Sequence, residues 1–254
     1  MRIISVINQK GGVGKTTTAL NVAHALSLKG KRILVLDMDP QSHLTTSLGL
    51  NERGQIGIDG VLGGDCELVD VMQEVRKKLY VVPAGEKLGE FEFVSGGDSN
   101  RGFRLAQALT DMNKRFDFVI IDCPPSAGLL GMNALLAAKE LLIPVSSDYL
   151  SLQGLSRLMG IITHIEARLG MKLKKWLVVT RFQSRRRLAN DVVEKLLHHF
   201  PQQVLQTRVR ESVSLAESPS FGQTIFDYKS ASNGAVDYEA LAEDLSLRRT
   251  TCAA

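Results

Sequence analysis

The chain has 254 residues, of which 44% are hydrophobic, and its formal net charge is +4. This composition supports one large buried core, so we expect a single domain over residues 1–254. No run of about 18 uncharged apolar residues is present, which argues against a membrane-spanning helix. Residues 3–7 already have the pattern of a strand, so the N-terminus does not resemble a signal peptide. These features favour a cytoplasmic protein.

Charged residues are unevenly distributed along the chain, and the cysteines indicate which cysteine-based sites are absent from the prediction. Residues 1–149 contain 16 Lys or Arg and 17 Asp or Glu, whereas residues 150–254 contain 15 and 10, so the basic surplus lies in the second part of the chain. Cys66, Cys123 and Cys252 are an odd number without the spacing of metal ligands. The sequence therefore favours free thiols over a disulfide framework, a zinc site or an iron–sulfur cluster.

Short apolar runs rich in Val and Ile alternate with longer segments of helical period. The predicted strands are residues 3–7, 32–37, 79–82, 118–122, 141–145 and 176–180. The predicted helices are residues 15–29, 102–115, 129–139, 152–169, 188–200 and 236–247. The alternation predicts an α/β fold, doubly wound, with a mostly parallel sheet and helices on both faces. Residues 95–102 are glycine-rich and predict a surface loop without a catalytic role.

The first strand is followed by a glycine-rich segment that leads into the first helix. In this arrangement backbone N–H groups converge on phosphate oxygens, and the helix N-terminus adds its positive dipole. Lys15 is expected to neutralise the β- and γ-phosphates, and Thr16 to ligate Mg²⁺. The predicted ATP site comprises Lys10, Gly11, Gly12, Val13, Gly14, Lys15, Thr16 and Thr17.

This segment departs from the simple phosphate-binding pattern at its beginning. The pattern G-x-x-x-x-G-K-T needs glycine where Gln9 stands, and Lys10 follows. The form K-G-G-x-G-K-[ST] resembles the deviant Walker A loop of the ParA/MinD/Soj ATPases. The resemblance implies a P-loop NTPase fold of the SIMIBI class. It also makes Lys10 the signature lysine, which reaches the partner subunit's phosphates in an ATP-dependent sandwich homodimer.

Two carboxylates lie at the ends of predicted strands, at the edge where α/β folds bind ligands. Within LVLDMDPQ, Asp39 resembles the family's switch I aspartate, which orients or activates the attacking water. Within VIIDCPPS, Asp122 resembles the Walker B aspartate, which holds a magnesium-bound water. Mg²⁺ prefers hard oxygen ligands, so we expect Thr16, Asp39 and Asp122 at the metal. Lys10, Lys15 and Asp39 are the predicted catalytic residues, and Asp37 is expected to support the metal site.

The resemblance to ParA and Soj extends over nearly the whole chain, including IPVSSDYLSLQGL at residues 143–155 and LAESPSFG at residues 215–222. Family members commonly read IPRNVRLSEAPS where residues 209–220 read VRESVSLAESPS. Proline and asparagine are thus replaced, which leaves the adenine contacts in this segment open. The nucleotide contacts expected beyond the loop are Thr180, Arg181, Arg210 and Ser212.

Seven basic residues and no acidic residue fall within residues 172–187. Such a patch, without a base-reading motif, would hold the phosphate backbone of DNA non-specifically. A solvated charged face is the alternative, and Arg181 has the further alternative of lying beside the adenine. The predicted DNA contacts are Lys172, Lys174, Lys175, Arg185, Arg186, Arg187 and Arg208.

The resemblance implies an ATPase that dimerises with ATP and Mg²⁺, binds double-stranded DNA on the nucleoid, and releases it when a ParB-like or adaptor protein stimulates hydrolysis. The cargo would be a chromosome, a plasmid or a protein assembly such as chemoreceptors or carboxysomes. One alternative is a MinD or flagellar-number type regulator that acts at membranes, although residues 239–254 lack the bulky apolar residues of a stable membrane anchor. Another is a metabolic enzyme that phosphorylates a small molecule.

Overall fold

The computed structural model describes residues 1–50, 54–92, 99–112, 115–126 and 128–251. The strands are β1 (Arg2–Val6), β2 (Ile33–Asp37), β3 (Gln73–Arg76), β4 (Leu79–Val82), β5 (Phe118–Asp122), β6 (Glu140–Ser146), β7 (Lys174–Phe182) and β8 (Val204–Arg210). The helices are α1 (Lys15–Leu28), α2 (His43–Thr46), α3 (Ile58–Gly63), α4 (Leu68–Val71), α5 (Leu88–Phe91), α6 (Arg104–Ala108), α7 (Leu129–Ala137), α8 (Tyr149–Leu169), α9 (Arg187–His199), α10 (Val213–Glu217), α11 (Ile225–Lys229) and α12 (Asn233–Leu247). Short 3₁₀ segments cover Ser99–Phe103 and Ser218–Phe221.

These strands form one sheet in the order β3-β4-β2-β5-β1-β6-β7-β8. Each neighbouring pair is parallel except β3 with β4. Parallel strands end at the same edge, and Asp122 is in register with both Val6 and Asp37 there. The predicted α/β fold with a mostly parallel sheet is confirmed, and its carboxyl edge brings the loop after β1 close to the ends of β2 and β5.

Helices cover both faces of the sheet through apolar interfaces. On one face α1 and α12 pack against residues such as Ile4 and Ile33, and on the other α7, α8 and α9 pack against residues such as Leu34 and Ile121. The strands β2, β5 and β6 are buried along their whole length. Strands covered on both sides appear in a sequence as unbroken apolar runs, which is why the pattern predicts them.

The structure differs from the predicted elements at two strands, at one helix, and at the short helices α2, α3, α4, α5, α10 and α11, which the pattern does not predict. The pattern does not predict β3 or β8, because β3 is polar and β8, at the sheet edge, is only partly buried. The predicted helix over residues 102–115 is too long. After α6 the chain tightens into turns in which Thr110 N bonds to the Gln107 carbonyl and Met112 N to the Leu109 carbonyl. Of the predicted loop, residues 95–98 lie outside the described residues, as does Cys252.

The outer edge of β8 is partly covered by the segment that follows α12. Leu205 forms an antiparallel bridge with Thr250, and Thr251 donates its backbone N–H to the Val204 carbonyl at 2.8 Å. This segment therefore satisfies part of the backbone at an otherwise open edge. None of the helices in the described ranges has both the length and the apolar character needed to cross a membrane.

Candidate nucleotide-binding site

The phosphate-binding loop joins β1 to α1 at the carboxyl edge of the sheet. Gly12 and Gly14 have φ angles of 72° and 85°, a left-handed conformation that favours glycine. A Cβ atom added to Gly11, Gly12 or Gly14 would meet no atom within 4 Å, so the space beside the loop is open. Because α1 begins at Lys15, its first N–H groups are available to bind an anion in this space.

Two hydrogen bonds hold the loop in shape. The Thr180 hydroxyl donates to the Val13 carbonyl at 2.9 Å, and the Lys15 ammonium donates to the Lys10 carbonyl at 3.2 Å. Burial lowers the pKa of Lys15, whereas the charges of Asp122 and Asp39 raise it. The Lys15 ammonium therefore lies between the loop and the carboxylates that follow β2 and β5.

Asp122 places an unsatisfied carboxylate beside the loop. Its side chain is fully buried, and neither oxygen accepts a hydrogen bond. Burial raises the pKa of Asp122 well above its usual range and nearby Asp37 adds to the effect, whereas Thr16 and Lys15 oppose it. Buried polar atoms need partners, and hard oxygen donors suit Mg²⁺. The residues present therefore fit a magnesium ion bound by the Thr16 hydroxyl, with Asp122 accepting from a metal-bound water.

Asp37 and Asp39 have different surroundings although only Met38 separates them. Both oxygens of Asp37 are occupied: one accepts from Thr45 N at 2.9 Å and Thr45 Oγ1 at 2.7 Å, and the other from Asp39 N at 3.2 Å. Burial raises the pKa of Asp37 to about 6, against these hydrogen bonds. Asp39 accepts from Gln41 N at 3.0 Å. Asp37 thus orients the segment that carries Asp39 and anchors α2.

Lys10 is bound within its own chain. Its ammonium lies 2.5 Å from Asp148 Oδ1 and 3.0 Å from Ser151 Oγ. Asp148 is the N-cap of α8 and accepts a hydrogen bond from Ser151 N. Burial alone would raise the pKa of Asp148, but hydrogen bonds from Lys10, Ser146 and Ser151 lower it to about 2. Asp148 therefore remains ionised at neutral pH, and the ion pair holds Lys10 against the start of α8.

A cleft of about 300 Å³ adjoins the loop on the side of β7 and β8. Two groups of predicted nucleotide contacts line this cleft. The loop and the start of α1 contribute Gly12, Val13, Gly14 and Thr17, and the ends of β7 and β8 with the residues after β8 contribute Thr180, Arg181, Arg210 and Ser212. Arg210 is held by Asp237 of α12 through guanidinium hydrogen bonds of 2.7, 3.0 and 3.1 Å and a backbone N–H bond of 2.9 Å. A proline at this position could not donate the backbone bond.

The basic residues within residues 172–187 do not form one patch. A first group precedes or begins β7 and consists of Lys172, Lys174 and Lys175. A second group follows the end of β7 and consists of Arg185, Arg186 and Arg187. The 9 residues of β7 separate the groups by about 30 Å, at about 3.3 Å per residue. The expectation of a continuous patch is therefore wrong, because a largely buried strand runs between the two groups.

Two of the predicted DNA contacts already have partners in this chain. Lys175 forms an ion pair with Glu166 at 2.7 Å, and the Arg208 guanidinium lies over the Phe182 ring, 5.1 Å from its centroid. Lys172 and Lys174 are exposed, as are the three arginines of the second group. The structure therefore leaves these five side chains in the better position to contact a phosphate backbone.

Three residues that support the site are missing from the sequence-based prediction. Asp148 and Ser151 bind Lys10, and Asp237 binds Arg210. Asp148 comes three residues after a predicted strand, in a segment that resembles ParA and Soj, and this position is a signal that could identify it. The pairing of Asp237 with Arg210 joins residues 27 positions apart on different elements, and no local pattern predicts such a contact.

Comparison with known proteins agrees with this geometry. Residues 1–175 match the family model described as an AAA domain. The chain is 41% identical over 252 residues to the chromosome partitioning protein ParA of Myxococcus xanthus, covering 98% of this chain and 89% of that protein. It is 36% identical over 249 residues to the sporulation initiation inhibitor protein Soj of Bacillus subtilis, covering 96% of this chain and 98% of that protein.

A solved structure with nucleotide is also similar. Cobyrinic acid a,c-diamide synthase from Mycobacterium smegmatis, with bound ATP analogue and magnesium, superimposes with a TM-score of 0.84 and is 29% identical. The match covers 100% of both chains. With a family model that spans most of the chain and ParA and Soj relatives that span nearly all of it, the chain belongs to the ParA/Soj family and is an ATP-hydrolysing enzyme that uses Mg²⁺.

Proposed function

We propose that the chain is a partition ATPase. It forms an ATP-dependent homodimer, binds double-stranded nucleoid DNA without sequence specificity, and is released by hydrolysis that a ParB-like or adaptor protein stimulates. The observation that carries the proposal is the position of Lys10 beside the phosphate-binding loop, in a chain aligned almost end to end with ParA and Soj proteins. We also propose that residues 1–254 form a single domain and that the protein is located in the cytoplasm, on the nucleoid.

The site supplies binding and charge neutralisation. The loop N–H groups and Lys15 would hold the β- and γ-phosphates, while Thr16 and Asp122 would hold Mg²⁺, which neutralises charge on the transferred phosphoryl group. Asp39 follows β2 and lies close enough to Lys15 to raise its pKa. This proximity supports the proposal that Asp39 orients an attacking water on the γ-phosphate side of the loop.

Lys10 is proposed to exchange its partner when the homodimer forms. In the single chain its ammonium is paired with Asp148. The adjacent residues at the start of α8 are exposed apolar side chains, Tyr149 at 53% and Leu150 at 64%. Apolar side chains next to a polar site fit a surface that a second subunit covers. In that assembly Lys10 would leave Asp148 and contact the partner subunit's phosphates.

The DNA-binding part of the proposal rests on Arg185, Arg186 and Arg187. All three are exposed and lie after the carboxyl end of β7, on the same edge of the sheet as the loop. A homodimer brings two such groups into one particle, and the second group then binds DNA at a high effective concentration. Retention on DNA should therefore depend on ATP.

Substitution of Lys10 by alanine tests the sandwich homodimer. Lys10→Ala should bind ATP and remain a monomer in sedimentation velocity experiments, whereas the parent protein forms a dimer with ATP and Mg²⁺. The matched control is Lys87→Ala, which removes an exposed lysine elsewhere on the surface and should dimerise like the parent. Normal dimerisation and hydrolysis by Lys10→Ala would contradict the sandwich arrangement.

Two further variants test the link between ATP and DNA. Asp39→Ala should bind ATP, hydrolyse it poorly and stay on DNA as a dimer. Replacement of Arg185, Arg186 and Arg187 by glutamate should abolish ATP-dependent retention on DNA and leave the dimer intact. Unchanged DNA affinity of the triple variant at low salt would place the DNA-binding surface elsewhere.

The same assays separate the alternative functions. ATP-dependent binding to liposomes without retention on DNA would favour a MinD or flagellar-number type regulator. ATP hydrolysis that rises with a small molecule, and not with DNA or a partner protein, would favour a metabolic enzyme. A pull-down that recovers a ParB-like protein would point to a chromosome or plasmid as the cargo, and one that recovers a chemoreceptor or carboxysome component would point to a protein assembly.

A further inference from the structure

The first turn of α7 is capped by a carboxylate from a distant part of the chain. Glu92, which follows α5, accepts hydrogen bonds from Leu129 N and Leu130 N, both at 3.2 Å. A helix cannot satisfy its first N–H groups internally, and its dipole favours a negative charge at this end. The helical bonds then start with Met132 N, which donates to the Gly128 carbonyl at 3.0 Å. Glu92 therefore fixes the residue at which α7 begins.

The approach of Glu92 to the helix requires a glycine at position 128. A Cβ atom added to Gly128 would overlap the Glu92 carboxylate. The backbone of Gly128 is extended, with φ and ψ angles of −73° and −164°, and other residues also adopt this conformation. Glycine is therefore needed for the close contact and not for a special backbone angle.

The second turn of α7 is bound to the same part of the chain. Asn133 donates from Nδ2 to the Arg101 carbonyl at 2.9 Å, and its Oδ1 accepts from Leu105 N at 3.1 Å. The Arg101 guanidinium donates to the carbonyl of Phe91, the residue before Glu92, at 3.2 Å. Glu92 and Asn133 thus hold α7 against α5 and α6 through polar groups as well as through the core.

The residues that lead into α7 follow the aspartate of the magnesium site and lie beside the start of the phosphate-binding loop. Asp122 ends β5, and residues 124–126 come soon after it. These three residues line a cavity of about 30 Å³ together with Asn8 and Gln9 of the loop start and with residues of α7 and α8. The cavity is large enough for a water molecule, so packing alone does not confine residues 124–126. Their position therefore depends on where α7 begins.

We propose that Glu92 is a positioning residue for ATP hydrolysis. Its carboxylate fixes the start of α7 and thereby keeps residues 124–126 in place beside Asp122 and the loop. A displacement of about 1 Å near the reacting groups can lower a rate about 100-fold, so the contact contributes to the hydrolysis step. Of the described residues, those that line the nucleotide cleft do not include Glu92, and ATP binding therefore does not depend on it.

The test measures kcat for ATP hydrolysis and the affinity for ATP in Glu92→Ala, Glu92→Gln and a matched control. Glu92→Ala should lower kcat about 10- to 100-fold and leave the affinity for ATP unchanged. Glu92→Gln retains one acceptor oxygen and should recover part of this loss. The control is Asp117→Ala at the opposite end of β5, where Asp117 accepts a hydrogen bond from Arg32 N at 2.8 Å. This variant also deprives a backbone N–H of a carboxylate, and it should keep the parent kcat.

A cycle of two variants tests the contact between Glu92 and Gly128. Gly128→Ala places a methyl group where the Glu92 carboxylate lies, so this variant alone should lower kcat as Glu92→Ala does. In a Glu92→Ala background the methyl group has space, and Gly128→Ala should lower kcat no further. Residues that act through one contact give such non-additive effects.

The parent kcat in Glu92→Ala would overturn the proposal. A loss of kcat with an equal loss of ATP affinity would also do so, because it would show a general loosening of the site. Additive losses from Gly128→Ala and Glu92→Ala would show that the two positions act independently, which contradicts the proposal. If Glu92→Ala does not fold, Gly128→Ala with the parent kcat is the result that overturns it.

Discussion

Asp122 is buried with two oxygens that accept no hydrogen bond, and Thr16 and Lys15 oppose the rise of its pKa only in part. A buried carboxylate of this kind destabilises the protein without nucleotide, and a metal with its bound water relieves the penalty. Asp37, by contrast, has both oxygens satisfied by Thr45 and Asp39. The two aspartates therefore have different roles. Asp122 has free oxygens for the magnesium site, and Asp37 orients the segment beside it.

Substitution of Asp122 by asparagine should separate metal binding from stability. Loss of the carboxylate should weaken the apparent affinity for Mg²⁺ about 10- to 100-fold, since it removes the acceptor for a metal-bound water. The thermal midpoint of the nucleotide-free protein should not fall, because the substitution also removes a buried charge. ATP hydrolysis measured against Mg²⁺ concentration, with thermal unfolding of the same samples, checks both results. An unchanged Mg²⁺ dependence would rule out this role.

Asp148→Asn should make the ATP-dependent dimer easier to form. The Lys10–Asp148 pair is partly exposed, with side-chain exposures of 30% and 45%, and pairs of this kind contribute about 0.2–1 kcal/mol. Its removal should lower the dissociation constant of the dimer by about 1.4- to fivefold for each lysine released. Sedimentation velocity with ATP and Mg²⁺ measures the change. The double variant Lys10→Ala/Asp148→Asn is the control and should show no gain.

At the residue scale, the sequence predicts the parts of the site whose chemistry is local. The segment from Lys10 to Thr17 carries its own conformation, because glycines permit the loop and the following helix supplies N–H groups. Asp122 is predictable because it ends an apolar strand, and Asp39 because it closely follows one. The Lys10–Asp148 and Arg210–Asp237 pairs are not, because each joins elements that come together only in the folded chain.

At the scale of elements, α12 ties the end of β8 to the nucleotide cleft. Asp237 accepts hydrogen bonds from the backbone and guanidinium of Arg210, which lines the cleft. About two turns further along, Asp244 makes a comparable contact with Thr207, accepting from its N–H at 2.8 Å and its hydroxyl at 2.6 Å. The helix α12 thus binds β8 at two points. The contact with Arg210 lies in the cleft lining, and the contact with Thr207 lies outside it.

These two aspartates provide a matched pair of variants. Asp237→Ala and Asp244→Ala should each lower the free energy of unfolding by about 1–3 kcal/mol, because each leaves a backbone N–H and a second donor without an acceptor. Only Asp237→Ala should also weaken ATP binding, since it releases Arg210 into the cleft. Chemical denaturation and equilibrium binding of a fluorescent ATP analogue measure the two effects. Equal losses of ATP affinity would indicate a general loosening of the fold.

The cluster around Glu140 predicts a dependence of stability on pH. Burial alone would raise the pKa of Glu140, but Arg2, Trp176 and Arg248 lower it below its ordinary value of 4.5. A carboxylate whose pKa is lower in the folded chain stabilises the protein above its ordinary pKa, and this stabilisation is lost as the pH falls through the lower value. Glu140→Gln should therefore cost about 1–3 kcal/mol at pH 7.

The difference between parent and Glu140→Gln should shrink as the pH falls below 4.5. Urea unfolding at several pH values checks this. A constant difference from pH 7 to pH 3 would show that the effect comes from packing and not from the charge. Lys29→Gln, at an exposed ion pair with Glu239, is the control and should change stability little at any of these pH values.

The sequence predicts best the strands that are buried on both faces of the sheet. Strands buried on both faces need continuous apolar runs, which is why β2, β5 and most of β6 are evident. Edge strands need only partial burial, so β3 and β8 leave weak patterns. The short α6 could not be bounded either, since the turn after Leu109 depends on packing rather than on a proline or glycine.

At the scale of the whole molecule, the sheet has two chemically different edges. The carboxyl edge carries the loop, the aspartates and the cleft for nucleotide, whereas the opposite edge carries cations where strands begin, such as Arg2 and Lys174. Sequence proximity misleads here, because Lys174 and Arg185 are close along the chain but lie at opposite ends of β7. Their separation follows from the length of one buried strand.

The segment after α12 should also limit the association of folded molecules with each other. An uncovered outer strand exposes backbone donors and acceptors that can pair with the same strand of another molecule, which leads to aggregation. Thr251→Pro removes the N–H that bonds to Val204, whereas Thr251→Ala keeps it. Static light scattering should therefore show concentration-dependent aggregation for the proline variant alone. Thr250 and Thr251, which cover part of β8, should therefore protect the folded protein from aggregation. This property is distinct from the chemistry of the nucleotide site.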